Sequence, residues 1–160
     1  MTIPYHTPLS ADQQRSLGIE TPQPLAMADR VRFSELDTLN HVNNSRYMEW
    51  FERMRVRYSQ ECGISTYGGE GAAPRIVIRS GEIHYRQEMV MDEDYVATCG
   101  CTAFRNTSYT LRQEIWSGGT IRCTFDCVLV LLYPDGSGRR MPIPDAVRER
   151  FVAVDGATPA

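Results

Sequence analysis

The stretch from Asp37 to Tyr58, DTLNHVNNSRYMEWFERMRVRY, limits the fold more than any other part of the chain. Its first eight residues are a polar loop, and the rest has a helical period. Tyr47, Trp50, Phe51, Met54 and Tyr58 recur at the spacing of one apolar stripe on a helix. Arg46, Glu49, Glu52, Arg53, Arg55 and Arg57 take the other face. Asn44 or Ser45 is the expected N-cap, because a side-chain oxygen there accepts from an unpaired backbone N–H. Glu49 and Glu52 precede Arg53 and Arg55 at spacings that permit ion pairs along the helix. The junction therefore sets a carboxylate, an imidazole and three amides just before a helix N-terminus. Free N–H groups and the helix dipole favour negative charge at such an end. Acyl chemistry needs that combination: a carboxylate to act on water or the acyl carbon, and N–H donors for a developing oxyanion.

The other elements read as strands. Ala26 to Ser34 alternates, with Met27, Val31 and Phe33 on one face. The helix is expected to end at Cys62-Gly63, where glycine supplies a left-handed cap. Tyr67 to Gly71 reads as a flexible connection. Arg75 to Tyr85 is rich in Ile and Val. Tyr95 to Phe104 has a small-residue face, Ala97, Cys99, Cys101 and Ala103, against which a helix packs closely. Arg105-Asn106-Thr107 and Ser117-Gly118-Gly119 are turn signals on either side of Ser108 to Trp116. Thr120 to Tyr133 is the longest strand and is apolar on both faces at its end, as at a subunit contact. A short helix, Asp145 to Phe151, closes the pattern. One long helix among about five antiparallel-type strands fits an α+β fold. Residues 1–25 read as an irregular arm with a short helix near Ser10 to Leu17, residues 26–151 as one domain, and residues 152–160 as a loose tail.

At 160 residues the chain suits one domain with a real core. A net charge of −3 and the lack of a basic run give no case for nucleic acid. No apolar stretch approaches the roughly 20 residues that cross a bilayer, so no membrane is expected. No signal peptide is visible at the start. Cys62, Cys99, Cys101, Cys123 and Cys127 are odd in number and match neither a zinc ribbon nor a redox pair. They read as reduced cysteines of a cytoplasmic protein. His84 and His6 show no metal-ligand spacing, so no metal is expected.

Asp37 through Tyr47, D-x-x-N-H-V-N-N-x-x-Y followed by an aromatic helix, resembles the hotdog-fold acyl thioesterases. It is most similar to the 4-hydroxybenzoyl-CoA thioesterase-like family, and HVNN is also similar to plant acyl-ACP thioesterases. The resemblance covers roughly residues 26 to 150. It implies an antiparallel sheet of about five strands wrapped around one long central helix. It further implies at least a dimer, a homodimer or homotetramer, with active sites at the subunit interface.

By that resemblance Asp37 attacks the thioester carbonyl or activates the attacking water. The Asn44 backbone N–H is the oxyanion donor. A thiolate leaves readily, so one carboxylate and an oxyanion site suffice. On the residues alone, Asp37 equally serves as the cap of an Asx-turn. His41 stands four residues after Asp37, as in the plant enzymes. The amide departs from their pattern: Leu39 occupies the family's Asn position, and Asn40 sits where bacterial relatives carry Gly. His41 and Asn40 therefore either orient Asp37 and the substrate or brace the loop. Tyr47, Trp50 and Phe51 line the acyl pocket or form core. Six arginines suit phosphate contact, and Arg75 and Arg86 among them are assigned to substrate. Glu49 and Glu52 occupy the polar helix face, where a second branch of these enzymes uses a glutamate; here they read as solvated or interface ion pairs. The expected substrate is an acyl-CoA or acyl-ACP, and the alternative to an enzyme is a non-catalytic acyl-thioester-binding protein on the same fold.

Overall fold

The computed structural model describes residues 2–65 and 73–160. The expected connection Tyr67 to Gly71 lies outside the described residues. The chain runs α1 (Ala11–Ser16), β1 (Leu25–Arg30), a 3-10 turn (Phe33–Glu35), α2 (Asn44–Cys62), β2 (Arg75–Tyr85), β3 (Asp94–Phe104), β4 (Ser108–Ser117), β5 (Thr120–Leu132), α3 (Asp145–Ala153) and β6 (Thr158–Pro159). Five strands form an antiparallel sheet in the order β1-β3-β4-β5-β2, and β6 adds to β3 in parallel. This is the α+β hotdog arrangement: the sheet curls around α2.

Helix α2 is buried along its stripe. Tyr47, Trp50, Phe51, Met54 and Tyr58 are all 3% exposed or less. Aromatic rings join it to two strands. Trp50 stacks on Tyr95 of β3 at 4.2 Å, and Phe51 on Phe125 of β5 at 5.6 Å. From β4, Gln113 Nε2 donates to the Phe51 carbonyl at 2.9 Å and Gln113 Oε1 accepts from Arg55 at 3.0 Å. The small-residue face of β3 lies under α2 as expected, with Cys99 and Cys101 buried. Gly81 is required on β2, because a Cβ there would stand 2.5 Å from the Phe125 ring.

Several local readings need correction. The N-cap is Asn43, not Asn44 or Ser45; its Oδ1 accepts from the Ser45 N–H at 2.9 Å, which leaves Asn44 as the first helical residue. The first strand ends at Arg30, and Phe33 is 78% exposed rather than inward-facing. The reason is Glu35, whose carboxylate takes the Arg32 N–H at 2.8 Å and turns the chain. Glu49 pairs with Arg46 at 2.8 Å, while Arg53 and Arg55 turn toward Asp29 and Gln113. At the helix end Gly63 takes the left-handed cap, φ 74°.

The terminal segments are packed. Ser10 caps α1. The His6 N–H donates to Ala28 O at 3.0 Å and the Leu9 N–H to Ala26 O at 2.8 Å, so the arm covers the free edge of β1. The residues after α3 are not loose. The Asp155 carboxylate is fully buried and accepts from the Tyr58 hydroxyl and from the Cys101 N–H. Val130, on the second face of β5, is buried within the chain itself.

Two outcomes follow. Asp155→Ala leaves two buried donors without an acceptor, so the protein loses about 2–4 kcal/mol in urea unfolding; a loss below about 0.5 kcal/mol contradicts this packing. All five cysteines are free and buried. Burial pushes Cys62 and Cys127 up to about 11, and Cys101 and Cys123 up to about 12. The folded-state values lie above the unfolded value of about 8.5, so the unfolded chain loses these protons first. Stability is therefore intact below that pH and falls as pH rises beyond it. Thiol titration at pH 8 should be slow on the native protein and give five equivalents in denaturant; rapid native labelling contradicts it.

Candidate active site

The loop that carries Asp37 is a short tongue closed by its own backbone. The Asn43 N–H donates to Glu35 O at 2.9 Å, Leu36 bridges Val42, and the Asp37 N–H donates to His41 O at 2.9 Å. The turn at its tip needs a residue with positive φ. Asn40 supplies it at φ 60°, the role in which glycine or asparagine is favoured, and its N–H donates to Asp37 O at 3.1 Å. Asn40 thus has a conformational task and does not line the cleft described below.

A second loop, Arg86 to Glu93, braces the tongue. The Val42 N–H donates to Met89 O at 2.9 Å, and Met89 is fully buried. Arg122 holds this loop from β5: its guanidinium lies 2.8 Å from Glu93 and donates to Glu88 O at 3.2 Å.

Between the tongue, the start of α2 and this second loop lies a cleft of about 380 Å³. Asp37, His41, Asn44, Tyr47 and Arg86 all line it. Asp37 is half-buried. Its Oδ1 accepts from the Leu39 N–H at 2.9 Å, which is the Asx-turn. Its Oδ2 has no donor among the described residues. One oxygen of the carboxylate therefore shapes the turn, and the other is free among the described residues. Asn44, first in its helix, has no intrahelical acceptor for its N–H. His41 Nδ1 lies 3.1 Å from Glu88 Oε2, which fixes the imidazole at the cleft wall.

Three expected substrate residues do not line the cleft. Trp50 and Phe51 point into the sheet, at 1% and 0% exposure, and serve as core. Arg75 stands at the opposite end of the eleven-residue strand β2 from Tyr85 and Arg86. At about 3.3 Å per residue, that is on the order of 33 Å. Glu49 and Glu52 are exposed on the helix surface.

Tyr85 and Glu88 were not singled out from the sequence, yet both line the cleft. The Tyr85 hydroxyl donates to Asn44 O at 3.3 Å, and its ring meets Tyr47 edge-on at 5.4 Å. Burial raises both phenols, so both stay protonated as donors. Tyr85 and Glu88 meet the tongue from more than forty residues away, and no local spacing signals such a contact. Chemically, the cleft offers an anionic oxygen, a backbone N–H at a helix start, a histidine paired with a glutamate, and an exposed arginine. Among the described residues, no three acids, histidines or cysteines stand together to hold a metal ion.

Comparison with known proteins agrees with this geometry. The family model for the thioesterase-like superfamily matches residues 31–151. A thioesterase-superfamily structure from Jannaschia sp. CCS1 is 42% identical, covers 98% of this chain and 99% of its own, and superposes with a TM-score of 0.90. A thioesterase from Thermus thermophilus, solved with coenzyme A and Zn, is 29% identical over 84% of this chain and 96% of its own, with a TM-score of 0.71. A predicted thioesterase from Bacillus stearothermophilus is 28% identical over 81% and 94%, also at 0.71. No curated protein matches the chain. With the hotdog sheet around α2, the tongue at its N-terminus and a family match over most of its length, the chain belongs to the thioesterase-like superfamily.

Proposed function

We propose that this protein is an acyl-CoA thioesterase that hydrolyses an acyl thioester to the free acid and CoA. The observation that carries the reading is the convergence of Asp37, Asn44, His41, Tyr47 and Arg86 on one cleft in a chain of this superfamily. The thioester carbonyl seats against the Asn44 N–H, where the helix dipole adds to the hydrogen bond. Asp37 Oδ2 acts as general base on water or as nucleophile on the acyl carbon. In the first case water adds to the carbon, its proton passes to Asp37, and the negative charge that develops on oxygen is held at the helix start. The C–S bond then breaks, and the thiolate leaves without an acid to protonate it, because a thiol is acidic near neutral pH.

His41 and Glu88, paired at 3.1 Å, line the cleft and orient the substrate. Asn40 supports the reaction only through the tongue's turn. The Arg86 guanidinium has no partner among the described residues and is the cation placed to meet a phosphate of CoA. CoA in the Thermus thermophilus relative supports CoA as the thiol carrier.

The active assembly is a dimer of this chain. Strand β2 is an eleven-residue sheet edge with no neighbour on its outer side among the described residues, and Ile78 and Tyr85 on it are 43% and 45% exposed. Beside it runs a groove lined by Glu52, Arg55, Val56, Ile76 and Ile78. A long edge with apolar side chains needs a cover, and a second copy supplies one. Five free, buried cysteines support a cytoplasmic setting. No described helix is long and apolar enough to cross a membrane.

Asp37→Asn should lower kcat by about a hundredfold or more in a thiol-release assay over short, medium, long and aromatic acyl-CoAs. Unchanged turnover excludes Asp37 as the reacting carboxylate. Arg86→Ala should raise KM about 3–10-fold with kcat preserved, and less so at high salt; an unchanged KM removes Arg86 from the phosphate site. Sedimentation velocity should show a dimer or a multiple of it, and a monomer at micromolar concentration contradicts the assembly.

A further inference from the structure

The tongue that presents Asp37 is anchored to α2 by one buried side chain, Glu35. This residue was not among the sequence-derived candidates, and it does not line the cleft. Its side chain is 10% exposed. Glu35 Oε1 accepts from Trp50 Nε1 at 2.9 Å, and Oε2 accepts from the Arg32 N–H at 2.8 Å. Its backbone carbonyl accepts from the N–H of Asn43, the cap of α2, at 2.9 Å. One residue thus touches the strand exit, the helix cap and the helix interior.

The anchor point itself is fixed. Trp50 is 1% exposed, stacks on Tyr95 at 4.2 Å and meets Tyr47 edge-on at 5.1 Å. The charge of Glu35 is compensated by Arg32, whose guanidinium lies 3.8 Å from Oε1 and also pairs with Asp29 at 3.0 Å. Arg53, on α2, reaches the same Asp29 at 3.6 Å. The chemistry demands a carboxylate. The two donors, an indole N–H and a backbone N–H, meet two different oxygens, and no neutral side chain of this length offers acceptors at both positions. A glutamine satisfies one donor and turns its own NH₂ toward the other.

We infer that Glu35 is a positioning residue for thioester hydrolysis. It locks the tongue onto Trp50, and so fixes the Asp37 carboxylate relative to the Asn44 N–H. Asp37 lies two residues beyond Glu35, and Asn44 one residue beyond the cap that Glu35 holds. The two groups proposed to act on the carbonyl therefore share a brace at Glu35. Displacements of about 1 Å at such a pair cost up to about a hundredfold in rate. This inference rests on the proposed role of Asp37.

The test is a double-mutant cycle on the full-length protein, with Glu35→Gln and Trp50→Phe read singly and together by steady-state acyl-CoA hydrolysis, alongside Asp37→Asn. Glu35→Gln leaves one of the two donors facing an NH₂ group, and Trp50→Phe removes the indole donor, so both weaken the same anchor. Glu35→Gln should lower kcat about tenfold or more with KM changed less than about threefold. Trp50→Phe should lower kcat in the same sense, and the double variant should fall no further than the less active single variant. The inference is overturned if folded Glu35→Gln, checked by circular dichroism, keeps wild-type kcat even though its thermal midpoint drops, or if the two effects multiply. Where Glu35→Gln does not fold, Trp50→Phe decides alone, since it retains the carboxylate, and an unchanged kcat overturns the inference. Asp37→Asn separates the failures: full activity there sinks the catalytic reading, whereas loss there with normal Glu35→Gln and Trp50→Phe sinks only the brace.

Discussion

Burial of one face of α2 is the constraint on which the rest of the structure depends. Five large side chains, from Tyr47 to Tyr58, leave water almost completely. Each contributes roughly 1.5–3 kcal/mol of transfer free energy, far more than the propensity of the helix itself. A flat sheet covers one side of such a helix. To reach Trp50, Phe51 and Tyr58 together the sheet must curl, with Tyr95, Phe125 and the Asp155 turn arriving from three directions. The tail that carries Asp155 lies outside the matched family region, yet its carboxylate is one of the polar ties on α2.

Curling the sheet around the helix leaves the helix N-terminus at a rim. That is where the chain places Asp37, a half-buried carboxylate with one oxygen unpaired among the described residues. A helix start in the open would have its N–H groups solvated, and one sealed in the core would admit no substrate. At the rim Asn44 lines the cleft beside Tyr47 and Tyr85, whose rings meet edge-on at 5.4 Å. The electrostatics of the cleft therefore follow from packing: the same burial that builds the core brings the positive end of the helix dipole to the cleft.

Much of this was legible in the sequence because it is written in local periods. The stripe of α2, the strand β2 from Arg75 to Tyr85, both late hairpin turns and the glycine cap at Gly63 all follow from spacing and from residues with restricted or permissive backbones. The residues from Asp37 to Asn44 pointed to one end of the helix, and the cleft lies there. What was not legible depends on partners distant in sequence or on backbone geometry. Phe33 reads as a strand residue until the Glu35 carboxylate turns the chain beneath it. Asn43 rather than Asn44 caps the helix because the tongue's backbone fixes which amide faces the first turn. Trp50 and Phe51 look equally suited to a pocket or a core, and only the positions of Tyr95 and Phe125 decide for the core. Tyr85 at the end of β2 and Glu88 on the loop after it reach the cleft from a part of the chain that no short-range pattern connects to the tongue.

We propose that Asp37 and the Asn44 N–H act on the same thioester carbonyl. The most direct measurement is a crystal structure of Asp37→Asn with a slowly hydrolysed acyl-CoA bound. The carbonyl oxygen should lie about 2.7–3.1 Å from the Asn44 nitrogen, and the acyl carbon, or a water lying against it, about 3–3.5 Å from the residue-37 side chain. An acyl-CoA seated elsewhere, with its carbonyl away from the start of α2, would contradict it.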